Sequence, residues 1–226
     1  GRLKGFNPLF FSYPSKIWEG LKDYAAGDML SDLAMSGREY GVGMSIAIVS
    51  GIGVGLAVGS SKKLSYAVDP IIDALYATPT IVLTPLFIIW FGIGAESKTA
   101  MCAMIAFFPL AINIIRGVST VDPVLIEAAK AFGGKRRQIQ TDVILPGILP
   151  FLVVGLRLSI RSGVVGIVIA EFLGGLGGVG YRVNVFASQF QTGRYLAAIG
   201  ILVSFSVIMN MLIKSVERRL AVWRPE

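Results

Sequence analysis

Asp122-Pro-Val-Leu-Ile-Glu-Ala-Ala-Lys-Ala-Phe-Gly-Gly-Lys-Arg-Arg-Gln-Ile-Gln-Thr-Asp-Val-Ile-Leu-Pro146 is the longest strongly polar segment in an otherwise apolar chain. Asp122 can accept from the free N–H groups that open a helix. Pro123 suits the first helical position, where its missing N–H would be unpaired anyway. Gly133 and Gly134 can take the left-handed turn that closes this helix. Lys135 to Leu145 reads as a second short helix, stopped at Pro146. A compact helix–turn–helix therefore hangs between two very hydrophobic runs.

Those runs decide the fold class. The 226 residues are 54% hydrophobic and 15% charged, with a mean hydropathy of +0.70, whereas soluble domains carry roughly 25% charged residues. Val42–Gly59, Ala74–Ala95, Thr99–Ile115, Gly147–Ala170 and Tyr195–Ile213 approach or reach the roughly 17–25 residues that cross a bilayer as a helix. The expected fold is an all-α polytopic membrane protein, a single transmembrane domain over residues 1–226 with 122–146 as its loop. It has five spanning helices, and a sixth is expected to precede Gly1, because the chain does not open on Met.

Outward from the loop, the first run is dense in glycine, which in lipid lets helices approach closely. The second helix begins near Asp69-Pro70 and contains Pro79 and Pro85, which imply a kink or break. That break marks either a pathway helix or local packing. Before the first run, Ile17, Trp18 and Leu21 share a helical face. This suits either a short helix at the membrane interface or a surface loop with one anchoring Trp.

The formal charge of +7 is read as basic loops at a membrane face rather than a nucleic-acid groove, because no soluble domain is left to carry one. With no His in the chain, the usual general base and commonest metal ligand are missing. The single Cys102 allows no intrachain disulfide and is expected to be inert packing. Lys62, Lys63, Arg116, the loop's basic residues and Lys214 to Arg224 fall on one side of the membrane. Arg2, Lys4, Lys16, Lys22, Arg38, Lys98, Arg182 and Arg194 fall on the other. The first set clusters beside helix ends, so the loop and C-terminus are expected to be cytoplasmic and residue 1 outside.

Glu127-Ala-Ala129, with Gly133 four residues after the second alanine and Leu145-Pro146 further on, resembles the EAA loop of ABC-importer permeases. Val143 stands where the family usually has Ile. The resemblance covers nearly the whole chain: Trp90-Phe-Gly-Ile-Gly94, Gly155-Leu-Arg157, Ala170-Glu-Phe172 and Pro14-Ser15 are similar to segments of the nitrate/sulfonate/taurine branch. It implies a type I importer bundle in a bacterial inner membrane, working with a second permease copy and an external solute-binding protein. It also implies cytoplasmic ATP-binding subunits, which would carry ATP and Mg, so no cofactor is expected on this chain.

Physics supplies a reason for the loop. Leu125, Ala128, Ala129 and Phe132 fall on one helical face, kept shallow by the alanines, and Glu127 and Lys130 flank it. This face, with Gly133, is the candidate ATPase-coupling surface. The alternatives are a helix packed only on its own protein, or a DNA-binding helix–turn–helix, which would need freedom from the membrane at both ends.

Gly175-Leu-Gly-Gly-Val-Gly180 satisfies G-x-G-x-x-G but lacks the strand before it and the acidic residue roughly 20 positions on that dinucleotide binding needs. It is read as a tight, closely packed turn. No phosphate-loop motif occurs, so if transport is ATP-driven a separate subunit must bring the nucleotide.

Arg157, Arg161, Ser162 and Glu171 are the candidate pathway residues. By helical rise the arginines sit about 15 and 21 Å into the bilayer from Gly147, and four apart they share a face. Buried arginines usually face a bundle interior or a water-filled cavity. Either they line an anion pathway, with Arg161 the better candidate for selectivity, or they pair with Asp69, Asp73, Glu171 or a second subunit. A secondary transporter of a small anion is the alternative function; such proteins commonly show internal repeats and a midplane carboxylate, and neither is evident here. A membrane enzyme would lack residues for its chemistry.

Overall fold

The computed structural model describes residues 12–220, with side chains through residue 215. Arg2, Lys4, Arg224 and the side chains of Arg218 and Arg219 lie outside the described residues. Every described element is helical, as lipid demands of apolar runs that must pair their own backbone groups. In order they are α1 (Pro14–Ala26), α2 (Met29–Gly59), α3 (Lys62–Ala77), a 3-10 turn (Thr80–Leu83), α4 (Thr84–Phe91), α5 (Ala95–Ser119) and α6 (Pro123–Ala131). Then come the short α7 (Arg136–Gln138), a π turn (Ile139–Ile144), α8 (Leu145–Gly147), α9 (Leu149–Gly174), α10 (Val179–Ser188) and α11 (Thr192–Leu220).

Among the described residues four helices, α2, α5, α9 and α11, are long and apolar enough to cross a bilayer. The expected second span is instead α3 and α4, bent by 89° at a break, and counts as a fifth only as a broken span. Its prolines act separately. Pro70 lies inside α3, which begins at Lys62 rather than at Asp69, whereas Pro79 precedes the 3-10 turn and Pro85 opens α4.

The centre is built from α2, α5 and α9. Gly43, Gly51, Gly55 and Gly59 lie against Cys102, Leu110, Ile114 and Val118, and the constant offset makes α2 and α5 parallel. A Cβ at Gly55 would come within 2.8 Å of Ile114, so glycine there sets the interhelical distance. On the other side α9 runs antiparallel, with Gly155 against Leu110 and Gly166 against Cys102. Ser159, fully buried, donates to the Ala106 carbonyl at 2.5 Å.

One boundary corrects the sequence reading. The first span begins at Met29, well before Val42, and its early turns bury Asp32, Ser36 and Glu39. Upstream, α1 forms and packs through buried Gly20 and Tyr24, with Gly20 against Gly193 at the start of α11. Trp18 faces out with Lys22 over its ring, 5.6 Å from the centroid.

The central loop opens as expected. Asp122 accepts from the Val124 N–H at 2.9 Å, and Gly133 takes φ +77°. Pro146, however, does not stop the second helix, because the π turn leads into α8 with Pro146 in its first turn. A widened turn just before Pro146 relieves the crowding of its ring against the carbonyl of Asp142. Ile139, Ile144 and Ile148 are buried against Leu110, Ile114 and Val118, with Ile126 and Ala129 packed beside them. The loop is therefore clamped to the end of α5 by its own apolar residues.

Candidate functional site

The residues singled out from the sequence separate into three places. The first is α6. Leu125 and Phe132 are 56% and 92% exposed, Ala128 is exposed between them, and Val124, not foreseen, adds to the patch. Glu127 and Lys130 are exposed beside it. Ala129 corrects the expectation: it turns inward with Ile126 onto the buried cluster. It thus holds the helix rather than presenting a surface. A Cβ on Gly133 would meet open space, so that glycine serves the positive φ of the turn alone.

The second place is the middle of α9. Arg161 is exposed, whereas Arg157 and Ser162 are half-buried. The Arg161 Nε donates to Asn210 Oδ1 of α11 at 2.8 Å. Among the described residues, none of Asp69, Asp73 and Glu171 is an ion-pair partner of Arg161; Asp69 instead accepts from Ser65 at 2.7 Å. Asn210 and Ser206 were missed because a lone Asn in a spanning helix gives no indication of the neighbour it will meet.

The third place lies at the far end of α9, and it moves Glu171 out of the candidate pathway. Glu171 has 0% exposure and both oxygens engaged: Oε1 accepts from Ser36 at 2.6 Å and Oε2 from the Gly180 N–H at 2.8 Å. The Val179 N–H donates to Ser36 Oγ at 3.0 Å and the Gly178 N–H to Asp32 Oδ1 at 3.1 Å. Asp32 Oδ2 also accepts from Arg182 Nε at 2.7 Å and from the Tyr24 hydroxyl at 3.0 Å. Burial and the neighbouring Asp32 carboxylate push the Tyr24 phenol well above its ordinary range, so it stays a donor. Beside this cluster Lys98 Nζ lies 2.7 Å from Glu39 Oε1, both side chains almost wholly buried, and donates to the Gly177 carbonyl at 3.3 Å.

The glycine motif is thus an anion cradle filled by the chain's own carboxylates. Gly178 has φ +102°, and a Cβ there would overlap the Glu171 carboxylate. The N–H groups of residues 178–180, which open α10, are spent on Asp32, Ser36 and Glu171, leaving none for a phosphate. Asp32, Ser36 and Glu39 recur at helical spacing, one signal in the sequence that α2 starts early and meets a polar partner. Among the described residues no group of three or more His, Cys, Asp or Glu is placed to hold a metal ion.

Residues 47–222 match the family described as binding-protein-dependent transport system inner membrane component. The chain is similar to the taurine transport system permease protein TauC of Escherichia coli strain K12, at 32% identity over 230 residues, covering 99% of this chain and 84% of TauC. It is also similar to the putative aliphatic sulfonates transport permease protein SsuC of Bacillus subtilis strain 168, at 35% identity over 200 residues, covering 88% and 72%. Among solved structures, a chain of the inward-facing MetNI methionine ABC transporter superposes with a TM-score of 0.74 at 20% identity, over 84% of this chain and 95% of that one. At that identity the likeness is one of fold.

Proposed function

The chain belongs to the family of binding-protein-dependent transport system inner membrane components, and from that premise we propose that it is the permease of an ATP-driven importer of a small organic or inorganic anion, such as a sulfonate, taurine, nitrate or an aromatic acid. It is a multi-pass membrane transport component, not an enzyme. In this reading α6 docks on a cytoplasmic ATP-binding subunit, which brings ATP and Mg. A second permease copy completes the pathway, and an external binding protein delivers the solute. Closure of the ATPase pair would be transmitted through α6 into a rocking of the helices.

The observation that carries the coupling role is the α6 surface: a capped helix, clamped from behind by Ile126, Ala129 and Ile139, with Leu125, Ala128 and Phe132 facing out. A single helix presenting apolar anchors and flanked by charge suits insertion into a groove. The cytoplasmic orientation gains support from Lys98 and Arg182. Both are consumed in ion pairs, which thins the basic set on the other side and sharpens the asymmetry. The oxyanion class is supported by taurine and aliphatic sulfonates, the solutes for which TauC and SsuC are named, and by Arg161 at mid-span.

The test is co-purification with candidate ATPase subunits. Wild type should retain its ATPase, and Glu127→Lys and Gly133→Trp should each lose coupled ATP hydrolysis by about tenfold or more. Unchanged hydrolysis in both variants would remove α6 from the mechanism.

A further inference from the structure

We propose that Asn210 is a positioning residue for an oxyanion subsite whose binding group is Arg161. The inference rests on the anion reading of Arg161 and adds a partner on another helix. The two meet in a cleft of about 220 Å³ between α9 and α11, walled by Val164, Val165 and Met209, with Ser206 beside Asn210. Ligand pockets for drug-sized molecules run from roughly 300 Å³ upward, so this cleft suits a smaller solute.

The hydrogen bonds fix how Asn210 is turned. Its Nδ2 donates to the Ser206 carbonyl at 2.9 Å, and its Oδ1 accepts from Arg161 Nε at 2.8 Å. The flipped amide would set N–H against N–H and C=O against C=O, so both bonds select one orientation. The guanidinium is therefore held by its Nε edge, and its terminal fork is not committed to this bond. Two parallel N–H groups match a carboxylate, sulfonate or nitrate edge.

The choice of amide over carboxylate matters. An Asp at 210 would make a similar bond but cancel the charge, and among the described residues Arg161 has no ion pair. Asn210 orients the fork while leaving a full positive charge at mid-span, where apolar walls strengthen its pull on an anion. The same walls accommodate a short apolar tail, so the ligand class is a small aliphatic oxyanion.

The experiment uses the purified full chain in nanodiscs and the line width of the ¹⁹F signal of trifluoromethanesulfonate, with a neutral trifluoromethyl sulfone as control. Wild type should broaden the sulfonate saturably and leave the sulfone sharp, and Arg161→Ala should abolish the effect. Asn210→Ala should weaken binding about three- to tenfold, the loss of one orienting bond. Asn210→Asp should weaken it more than tenfold by charge cancellation, with thermal unfolding unchanged in both. If Asn210→Asp instead binds more tightly than Asn210→Ala, sparing the Arg161 charge is not what Asn210 does, and that result would overturn the proposal. If Arg161→Ala abolishes broadening but both Asn210 variants bind as wild type, Asn210 loses its role and the Arg161 reading stands. If wild type fails to broaden the signal, or Arg161→Ala broadens it equally, the anion reading itself fails.

Discussion

Glu171 and Arg161 lie on the same helix, about 15 Å apart by helical rise, and the membrane treats them oppositely. Glu171 is fully buried with both oxygens occupied. Arg161 is exposed and held at one nitrogen by a neutral amide. A charge in lipid is costly unless compensated. The first is compensated by the fold itself, so it joins α2, α9 and α10; the second has one neutral partner and, in the proposed function, keeps its charge for a ligand outside the fold. Sequence placed both in the pathway because each is an ionisable residue in or beside an apolar run. What separates them is the number of partners.

The comparison breaks most directly at Glu171. Glu171→Ala strands the Ser36 hydroxyl and the Gly180 N–H in a site closed to water, at about 1–3 kcal/mol each, with a cavity besides. The expected loss is roughly 3–6 kcal/mol, read as a fall on the order of 10 °C in the thermal midpoint of the detergent-solubilised protein. A fall of only a degree or two would mean the cluster is not a joint.

Lys98→Met comes next. It leaves the Glu39 carboxyl without its partner in a nearly closed site, at about 3 kcal/mol or more. Adding Glu39→Leu should recover most of that loss, since a buried pair replaced by apolar residues is often neutral. A double variant as weak as the single one would show that the Gly177 carbonyl, bonded to Lys98 at 3.3 Å, is the more important partner.

Arg161→Ala should sit at the other extreme and change stability by no more than about 0.5 kcal/mol, as an exposed side chain with one neutral partner. Thermal unfolding in the same detergent checks it. A loss comparable with Glu171→Ala would make the two charges alike and end the contrast.

The same distinction sets how far the sequence could be read. Runs such as Thr99–Ile115 and Tyr195–Ile213 announce helices because their length and hydropathy are local properties. The start of α2 is not local: Asp32 and Ser36 look like surface residues until Gly178, Val179 and Glu171, more than a hundred residues later, take up their hydrogen bonds. Pro79 and Pro85 revealed a break but not its 89° angle, which packing decides. Pro146 looked like a stop because a π turn leaves little trace in sequence. On α6, periodicity found Leu125, Ala128 and Phe132 but could not tell the outward alanine from Ala129, since both lie within one helical stripe and only the clamp against Ile139 and Ile144 divides them.

Phe132 gives the smallest effect on stability and the sharpest test of that division. It is 92% exposed at the C-cap of α6, and the helix end is closed by backbone bonds from the Gly133 and Gly134 N–H groups to the Lys130 and Ala129 carbonyls. Phe132→Ala removes none of these, so the thermal midpoint should stay within about 0.5 kcal/mol of wild type. An exposed aromatic ring of this size contributes most where a partner covers it, and truncation of such an anchor typically costs 2 kcal/mol or more in binding, about thirtyfold. ATPase retention should therefore fall sharply while the fold is untouched. Ala129→Leu should do the reverse, straining the clamp and lowering the midpoint by about 1–3 kcal/mol before any effect at the exposed face. If Phe132→Ala destabilises the chain and Ala129→Leu does not, the inward and outward faces of α6 have been assigned the wrong way round.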